Sequence, residues 1–421
     1  MAFRSVFIAV VLGTALVVAA LVLHSRRPEV EVSQPSAAMV AATGKCATCH
    51  LQESAAIVHE FERSAHARRG VNCLDCHRPL PGQEAVEHRG FTISAGVTAG
   101  SCAQCHRTEY DQFLRSRHAA PAFAAVRGSE PFTEEQIEAA ERFHPGAVRR
   151  PPNALAVQEG EAAIVRGCVA CHAVGRPNAD GSIGTCTACH ARHQASVALA
   201  REPQTCGQCH MGPDHSQIEI YNESKHGALY NAQRRFMDLA ADPKTLTVED
   251  MWVPTCATCH MSGLEGQRVT HDTTERLSYW LFAEISERRP TYAQGQAQMK
   301  ELCLTCHTTG HVERYYEEAE AVLRDTNDKV AAGMAIVAEL RSEGLLTPAP
   351  FDEPIEFVAF DFWHYYGRTA KHGAFMGGAD FVQWHGNYEL EALRVELEAM
   401  ARELRRGHGA EVQGAADAGP G

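Results

Sequence analysis

The pattern Cys-x-x-Cys-His, repeated eight times, constrains this chain more than its length does. It occurs at Cys46, Cys49 and His50; Cys73, Cys76 and His77; Cys102, Cys105 and His106; and Cys168, Cys171 and His172. It recurs at Cys186, Cys189 and His190; Cys206, Cys209 and His210; Cys256, Cys259 and His260; and Cys303, Cys306 and His307. Together the copies use all 16 cysteines. Zinc ribbons or disulfides would also consume cysteines, but nothing in them requires a histidine after every second one. The spacing is that of covalent c-type haem attachment. Both thiols add to the porphyrin, and the adjacent histidine becomes the proximal iron ligand. Eight haems c are therefore expected, with His50, His77, His106, His172, His190, His210, His260 and His307 beneath their irons.

Eight haems in 421 residues change what a core must be. The porphyrins supply much of the apolar interior, and each motif needs a helical turn under its ring. The expected fold class is mainly α, a multihaem cytochrome c fold with a haem-packed core followed by a long-helix C-terminal region. The net charge of -13, to which propionates add, argues against nucleic acid as a partner.

Residues Val6 to Leu23 are an uncharged apolar run of a length that a membrane span just reaches. Residues 1–27 are read as a membrane anchor or signal segment, and 28–44 as a linker. Attachment at these motifs takes place outside the cytoplasm. The body is therefore expected to be periplasmic, tethered through residues 6–23 or exported by a cleaved signal peptide.

Residues 45–311 are read as the octahaem cytochrome domain. Within it the loop 174–184, rich in Gly, Pro, Asn and Asp, is expected to be a surface turn. A second repeat runs through the chain: "ERSAHARRG", "LRSRHAAPA" and "NESKHGALY" each place a histidine two residues after a serine and before a small residue, and "GRTAKHGAF" is a looser copy. A small neighbour lets a ring approach closely, so His66, His118, His226 and His372 are candidate distal ligands. His88, His193, His271 and His385 complete the set of candidates.

After His307 the motifs stop. Val312 to Gly344 reads as one helix with Val312, Tyr316, Ala319, Leu323, Val330, Val337 and Leu340 near one face. A second helix carries Leu390, Leu393, Leu397, Met400 and Leu404 at steps of three and four. That seam packs either on the first helix or between subunits. Residues 312–408 are read as a C-terminal helical domain contributing to an oligomer interface, and 409–421 as a flexible tail.

Three stretches carry a resemblance. "CGQCHMGPDHSQIEIYNESKHG", "WVPTCATCHMSG" with "THDTTERLS", and "KHGAFMGGADFVQWHGNYEL" resemble the hydroxylamine oxidoreductase family of octahaem cytochromes, over roughly residues 45 to 405. The resemblance implies seven haems with two histidine ligands and one with an open face. By order along the chain the open one is the fourth, attached at Cys168 and Cys171. It also implies that Asp214 and His215 form the distal pair above that haem. A distal tyrosine is implied too, for which Tyr292, Tyr315 and Tyr316 are candidates. Relatives that reduce nitrite through a lysine-ligated haem carry Cys-x-x-Cys-Lys, which this sequence lacks.

The chemistry gives that pair a use. Redox interconversion of nitrite, nitric oxide, hydroxylamine and ammonia needs protons as well as electrons, and a histidine beside a carboxylate can relay them. Hydroxylamine-oxidising members have a tyrosine from a neighbouring subunit bonded to the catalytic porphyrin. Here Phe381 stands at the corresponding position, with Phe375 nearby and Tyr365, Tyr366 and Tyr388 in the same region. The function expected is an oxidoreductase of small inorganic nitrogen compounds, with reduction of nitrite or hydroxylamine favoured. The alternatives are hydroxylamine or hydrazine oxidation, and an electron-transfer cytochrome without catalysis. The partners expected are a redox cytochrome or a quinol-linked membrane cytochrome, in a homotrimer.

Overall fold

The computed structural model describes Thr14 and residues 44 to 417, with side chains to 408. Apart from Thr14 the apolar run 6–23 lies outside the described residues, as do residues 28–43 of the linker and the end of the tail. Among the described residues no helix is long and apolar enough to cross a membrane.

The chain divides into two compact units after Val71. Between residues 44 and 71 the first contains three helices: α1 (Lys45–Glu53), which carries the whole first haem motif, α2 (Ala55–Glu62) and α3 (Ala65–Arg68), which carries His66.

The second unit is a run of short helices ending in long ones. Its first helix, α4 (Cys73–His77), is the second motif itself, started by a capping box between Asn72 and Asp75. The one sheet among the described residues is a hairpin of β1 (Val86–His88) and β2 (Phe91–Ile93), pairing His88 with Phe91. Helix α5 (Ala120–Arg127) centres a small core of Phe123, Phe132, Ile137, Val148 and Ile183. Helices α6 (Gln217–Glu223) and α7 (Lys225–Gln233) hold Tyr221 and Tyr230 against Met237, Leu246 and Met251. The seventh motif forms α8 (Cys256–His260), capped by Thr255.

The loop 174–184 differs from the expected surface turn. Ser182 and Ile183 are buried, because Asp180 gathers the loop inward. Its carboxylate accepts from Thr98 Oγ1 (2.5 Å), Gln83 Nε2 (2.9 Å), and Ser182 N (3.0 Å) and Oγ (2.6 Å).

Helix α9 (Thr309–Ser342) buries all seven of the residues assigned to its inner face. It stops where Gly344 turns left-handed, φ 73°, and Leu345 N donates to Leu340 O at 2.9 Å. Pro354 then opens α10 (Pro354–Phe360), which runs through a π-helical turn (Asp361–Gly367) into α11 (Arg368–Met376). A second π turn (Gln383–Asn387) leads into α12 (Tyr388–Asp417). The leucine seam is spent inside the chain: Leu390 and Leu397 are buried against Val330, Val337, Leu340 and Phe362. An oligomer would have to use another face.

Candidate haem-binding and catalytic site

The geometry of one helical turn explains the motif. Residues four apart lie on one helix face. Where the helix ends early, the turn is kept by a backbone bond from the histidine amide to the first cysteine carbonyl. That bond is 2.9 Å in the third, sixth and eighth motifs and 3.0 Å in the fifth. Cysteine and histidine therefore present to one porphyrin face. None of the 16 thiols is in a disulfide.

Two trans imidazole nitrogens on one metal, each at about 2 Å, stand about 4 Å apart. Four candidate distal histidines each stand ring to ring with a proximal one. The His118 and His210 rings are 5.7 Å apart between centroids, with Nε2 atoms facing at 3.5 Å. His77 and His193 are 6.4 Å apart, His190 and His271 6.4 Å, and His226 and His307 5.9 Å. In three of these rings the other nitrogen is committed elsewhere: His77 Nδ1 meets Ser94 O at 2.9 Å, His210 Nδ1 meets Gln217 Oε1 at 3.2 Å, and His118 Nδ1 meets Thr273 Oγ1 at 3.3 Å. Such partners fix the tautomer and leave Nε2 for iron. These residues fit haem iron.

The remaining candidates are placed differently. His66 sits in α3, and His88 on the exposed hairpin. His372 is buried in α11, its ring 4.7 Å from Phe282 and Nδ1 2.8 Å from Arg368 O. His385 Nδ1 lies 2.7 Å from Asp380 Oδ2, and its ring stacks on Phe381 at 5.0 Å. His311, which the sequence reading passed over, stacks on His307 at 4.7 Å. Only its spacing, four residues after His307 on a helix, could have flagged it.

The serine of the Ser-x-His repeat has a use that its sequence did not reveal. Ser64 Oγ accepts from Ala67 N at 3.0 Å, Ser116 Oγ from His118 N at 3.1 Å, and Ser224 Oγ from Gly227 N at 3.1 Å. All three serines are buried. Each starts the turn that carries the histidine, as a helix cap does. The small residue after the histidine serves backbone packing. A side chain at Gly227 would meet Tyr221 O at 1.8 Å, and one at Gly373 would meet Val382 N at 2.9 Å.

Around the fourth motif the arrangement changes. A π turn (Ile164–Cys168) delivers Cys168, and His172 Nδ1 meets Ala122 O of α5 at 2.6 Å. Across from it stands His215, ring centroids 6.4 Å apart and planes at 85°. His215 Nδ1 lies 2.6 Å from Asp214 Oδ2. Burial opposes ionisation of Asp214. The hydrogen bond to His215 and the nearby His215, His364 and Arg368 outweigh it and hold the carboxyl below its ordinary range. The segment is fastened to α11 on both sides: Thr369 Oγ1 reaches Pro213 O at 3.3 Å and Ser216 Oγ at 3.1 Å.

Sequence reasoning missed the rest of this wall. The Phe282 ring lies 5.2 Å from His215. Arg368 Nε donates to Phe282 O at 2.8 Å, and its guanidinium lies 4.9 Å from the Trp363 ring. One turn on, the buried Lys371 donates to Ala283 O (3.0 Å) and Glu284 O (3.2 Å), and burial pulls its pKa down to about 7. His364, on the π turn, is driven down to about 3 by burial and by Arg368. The π turn is the kind of interruption that marks functional segments, but no residue pattern announces it. Of the candidate distal tyrosines, Tyr292 bonds Glu320 Oε1 at 2.8 Å, and Tyr315 and Tyr316 pack with His311 and Phe375. Tyr365 is the tyrosine whose electrostatic surroundings include Asp214.

Comparison with known proteins agrees with this architecture. A solved structure described as a hypothetical multiheme protein superposes with a TM-score of 0.75 at 21% identity, over 91% of this chain and 100% of that one. A reducing HAO-like protein complex of Kuenenia stuttgartiensis superposes at 0.66 and 21%, over 87% of this chain and 86% of that one. A probable nitrite reductase-hydroxylamine oxidoreductase fusion protein of the same organism is 24% identical over 350 residues, 74% of this chain. This chain spans only 39% of that relative's length. The family model for the seven-times multi-haem cytochrome CxxCH matches residues 69–354, a range that contains seven of the eight motifs. The chain belongs to that multi-haem cytochrome family, and covalently bound haem c is its cofactor.

Proposed function

We propose that the chain is an octahaem oxidoreductase of small inorganic nitrogen compounds, with its reaction at the haem attached to Cys168 and Cys171. The observation that carries this is the Asp214–His215 pair opposite His172. Bound haem c supplies electrons and an open iron position for the substrate nitrogen. His215, with Nδ1 held by Asp214, has Nε2 left to hand a proton to substrate oxygen or nitrogen. Asp214 stays ionised and offsets the charge of the protonated imidazole. Phe282 packs beside the ring and holds its orientation. Cys171 lies beside Cys209, its sulfur 3.7 Å from Gln208 O, and this closeness of the fourth and sixth attachment sites supports electron transfer between their haems.

Reduction is the favoured direction. Phe381, at the position of the cross-linking tyrosine, has no phenolic oxygen, and it is buried against His385. The name of the reducing HAO-like complex supports the same direction, while that of the nitrite reductase-hydroxylamine oxidoreductase fusion relative is compatible with either. The reading includes an extracytoplasmic location and a cytochrome or quinol-linked redox partner.

The 6.4 Å spacing of His172 and His215 favours a second reading, because an axial ligand pair has the same separation. His215 would then be a sixth ligand and the chain an electron-transfer cytochrome. The ferric spectrum of purified holoprotein separates the two. A high-spin component, with nitrite consumed by reduced dye, is expected. An all-low-spin spectrum without turnover would establish the wire.

A further inference from the structure

Arg368 carries a charge that no carboxylate of the described residues meets in a direct ion pair. Among the described residues its one hydrogen bond runs from Nε to Phe282 O, and it forms no ion pair. The guanidinium lies between two aromatic faces, 5.4 Å from the Phe282 ring centroid and 4.9 Å from that of Trp363. Neither terminal nitrogen makes a hydrogen bond among the described residues. Asp214 lies within electrostatic reach, yet its short bond is made to His215. Lys371, one turn further along α11, directs two hydrogen bonds to backbone carbonyls and so points away from this space. Arg368 is thus half-buried with its nearest carboxylate committed to His215, and a cation left without a directly bonded partner is costly. A rigid fork with free donors matches a small anion with two terminal oxygens.

We propose that Arg368 is the anion-recognition residue of this site, so that the pocket bounded by His215, Phe282 and His364 selects a small oxyanion of the nitrite class over neutral nitrogen compounds. The inference rests on the reading of the fourth haem as open. The two oxygens of an oxyanion accept together from the Arg368 terminal nitrogens, while hydroxylamine, uncharged at neutral pH and with a single oxygen, gains neither the ion pair nor the paired bond.

The test uses ferric holoprotein and follows the absorption change on adding nitrite, azide or hydroxylamine. Azide is included as an anion that is not a nitrogen oxide. Arg368→Gln should weaken nitrite and azide binding by about 10- to 100-fold, the worth of charge-assisted hydrogen bonds. Hydroxylamine binding should change by less than about threefold, within the spread of surface-type effects. Arg368→Lys, which keeps the charge and loses the fork, should recover part of the loss and guards against misfolding of the Gln variant. Added salt should weaken nitrite binding in the wild type more than in Arg368→Gln. Wild-type protein that binds none of the three overturns this proposal together with the open haem. Wild-type protein that binds all three, with nitrite affinity unchanged in Arg368→Gln, overturns the Arg368 assignment alone. Equal losses for charged and neutral ligands do so as well, since they would mean that Arg368 only holds the Phe282 loop.

Discussion

His118 and His210 face each other Nε2 to Nε2 at 3.5 Å, although 92 residues separate them in sequence. Burial and the neighbouring imidazoles push His118 down to about 3, so that it is neutral and able to donate its lone pair to a metal. Replacing His118 with Ala should leave the sixth haem attached, because attachment depends on Cys206 and Cys209. It should add one high-spin ferric haem to the spectrum, read by electron paramagnetic resonance. An unchanged spin count would remove His118 from the ligand set.

How much of this was legible in the sequence depends on the range of the interaction. The haem motifs and the inner face of α9 are local periodicities, and both are read directly from residue types. Asp214 and His215 are neighbours, and their 2.6 Å contact needs no tertiary information beyond the resemblance that singled them out. Arg368, His364 and Phe282 meet only because a π turn shifts the helix and because Thr369 draws the 213–216 segment onto α11. The pairing of distal with proximal histidines is likewise tertiary: His226 and His118 stood out through their serines, but nothing local assigns His307 to one and His210 to the other. The leucine seam was ambiguous because packing on α9 and packing on a second subunit require the same pattern.

Asp180 pins the loop 174–184 to the region around Thr98 and Gln83. Burial raises its pKa, but the hydrogen bonds from Ser182, Thr98 and Gln83 win and hold it below the ordinary value. A carboxyl depressed in the folded state contributes stability above its unfolded pKa, near 4, and loses that contribution as pH falls through the folded value. Asp180→Asn should therefore lower stability at pH 7 by about 1–3 kcal/mol, the cost of losing charge-assisted bonds. The gap to wild type should narrow as the medium is acidified below about pH 4. Urea unfolding midpoints at neutral and acidic pH measure it, and a pH-independent gap would count against the ionised carboxylate.

Gly227 follows His226, and a β-carbon there would lie 1.8 Å from the Tyr221 carbonyl oxygen. Backbone cannot yield as a flexible side chain can. Gly227→Ala should cost about 1–3 kcal/mol or more from overpacking. It should also shift the His226 ring from its 5.9 Å spacing to His307, so the spectrum of the eighth haem should change along with the melting temperature. A variant with wild-type melting and spectrum would show that the α6–α7 corner has slack.

Asp214 and His215 carry the proposed reaction, and two substitutions separate their roles. His215→Ala should retain every attached haem and should still bind nitrite, since the thiols and His172 are untouched. Turnover should fall by about 10²–10⁴-fold, the usual contribution of a positioned acid or base. Asp214→Asn should do less harm. An amide oxygen can still accept from Nδ1 and orient the ring, but it cannot offset the charge of a protonated imidazole. The pH–rate profile of that variant should move to lower pH. A merely structural role would reduce rates without moving the profile. The competing reading of His215 as a sixth iron ligand makes the opposite spectroscopic prediction: His215→Ala would convert a low-spin haem to high spin and open the fourth haem to substrate. Parallel spectra and rates on the two variants therefore assign His215 either to the proton or to the iron.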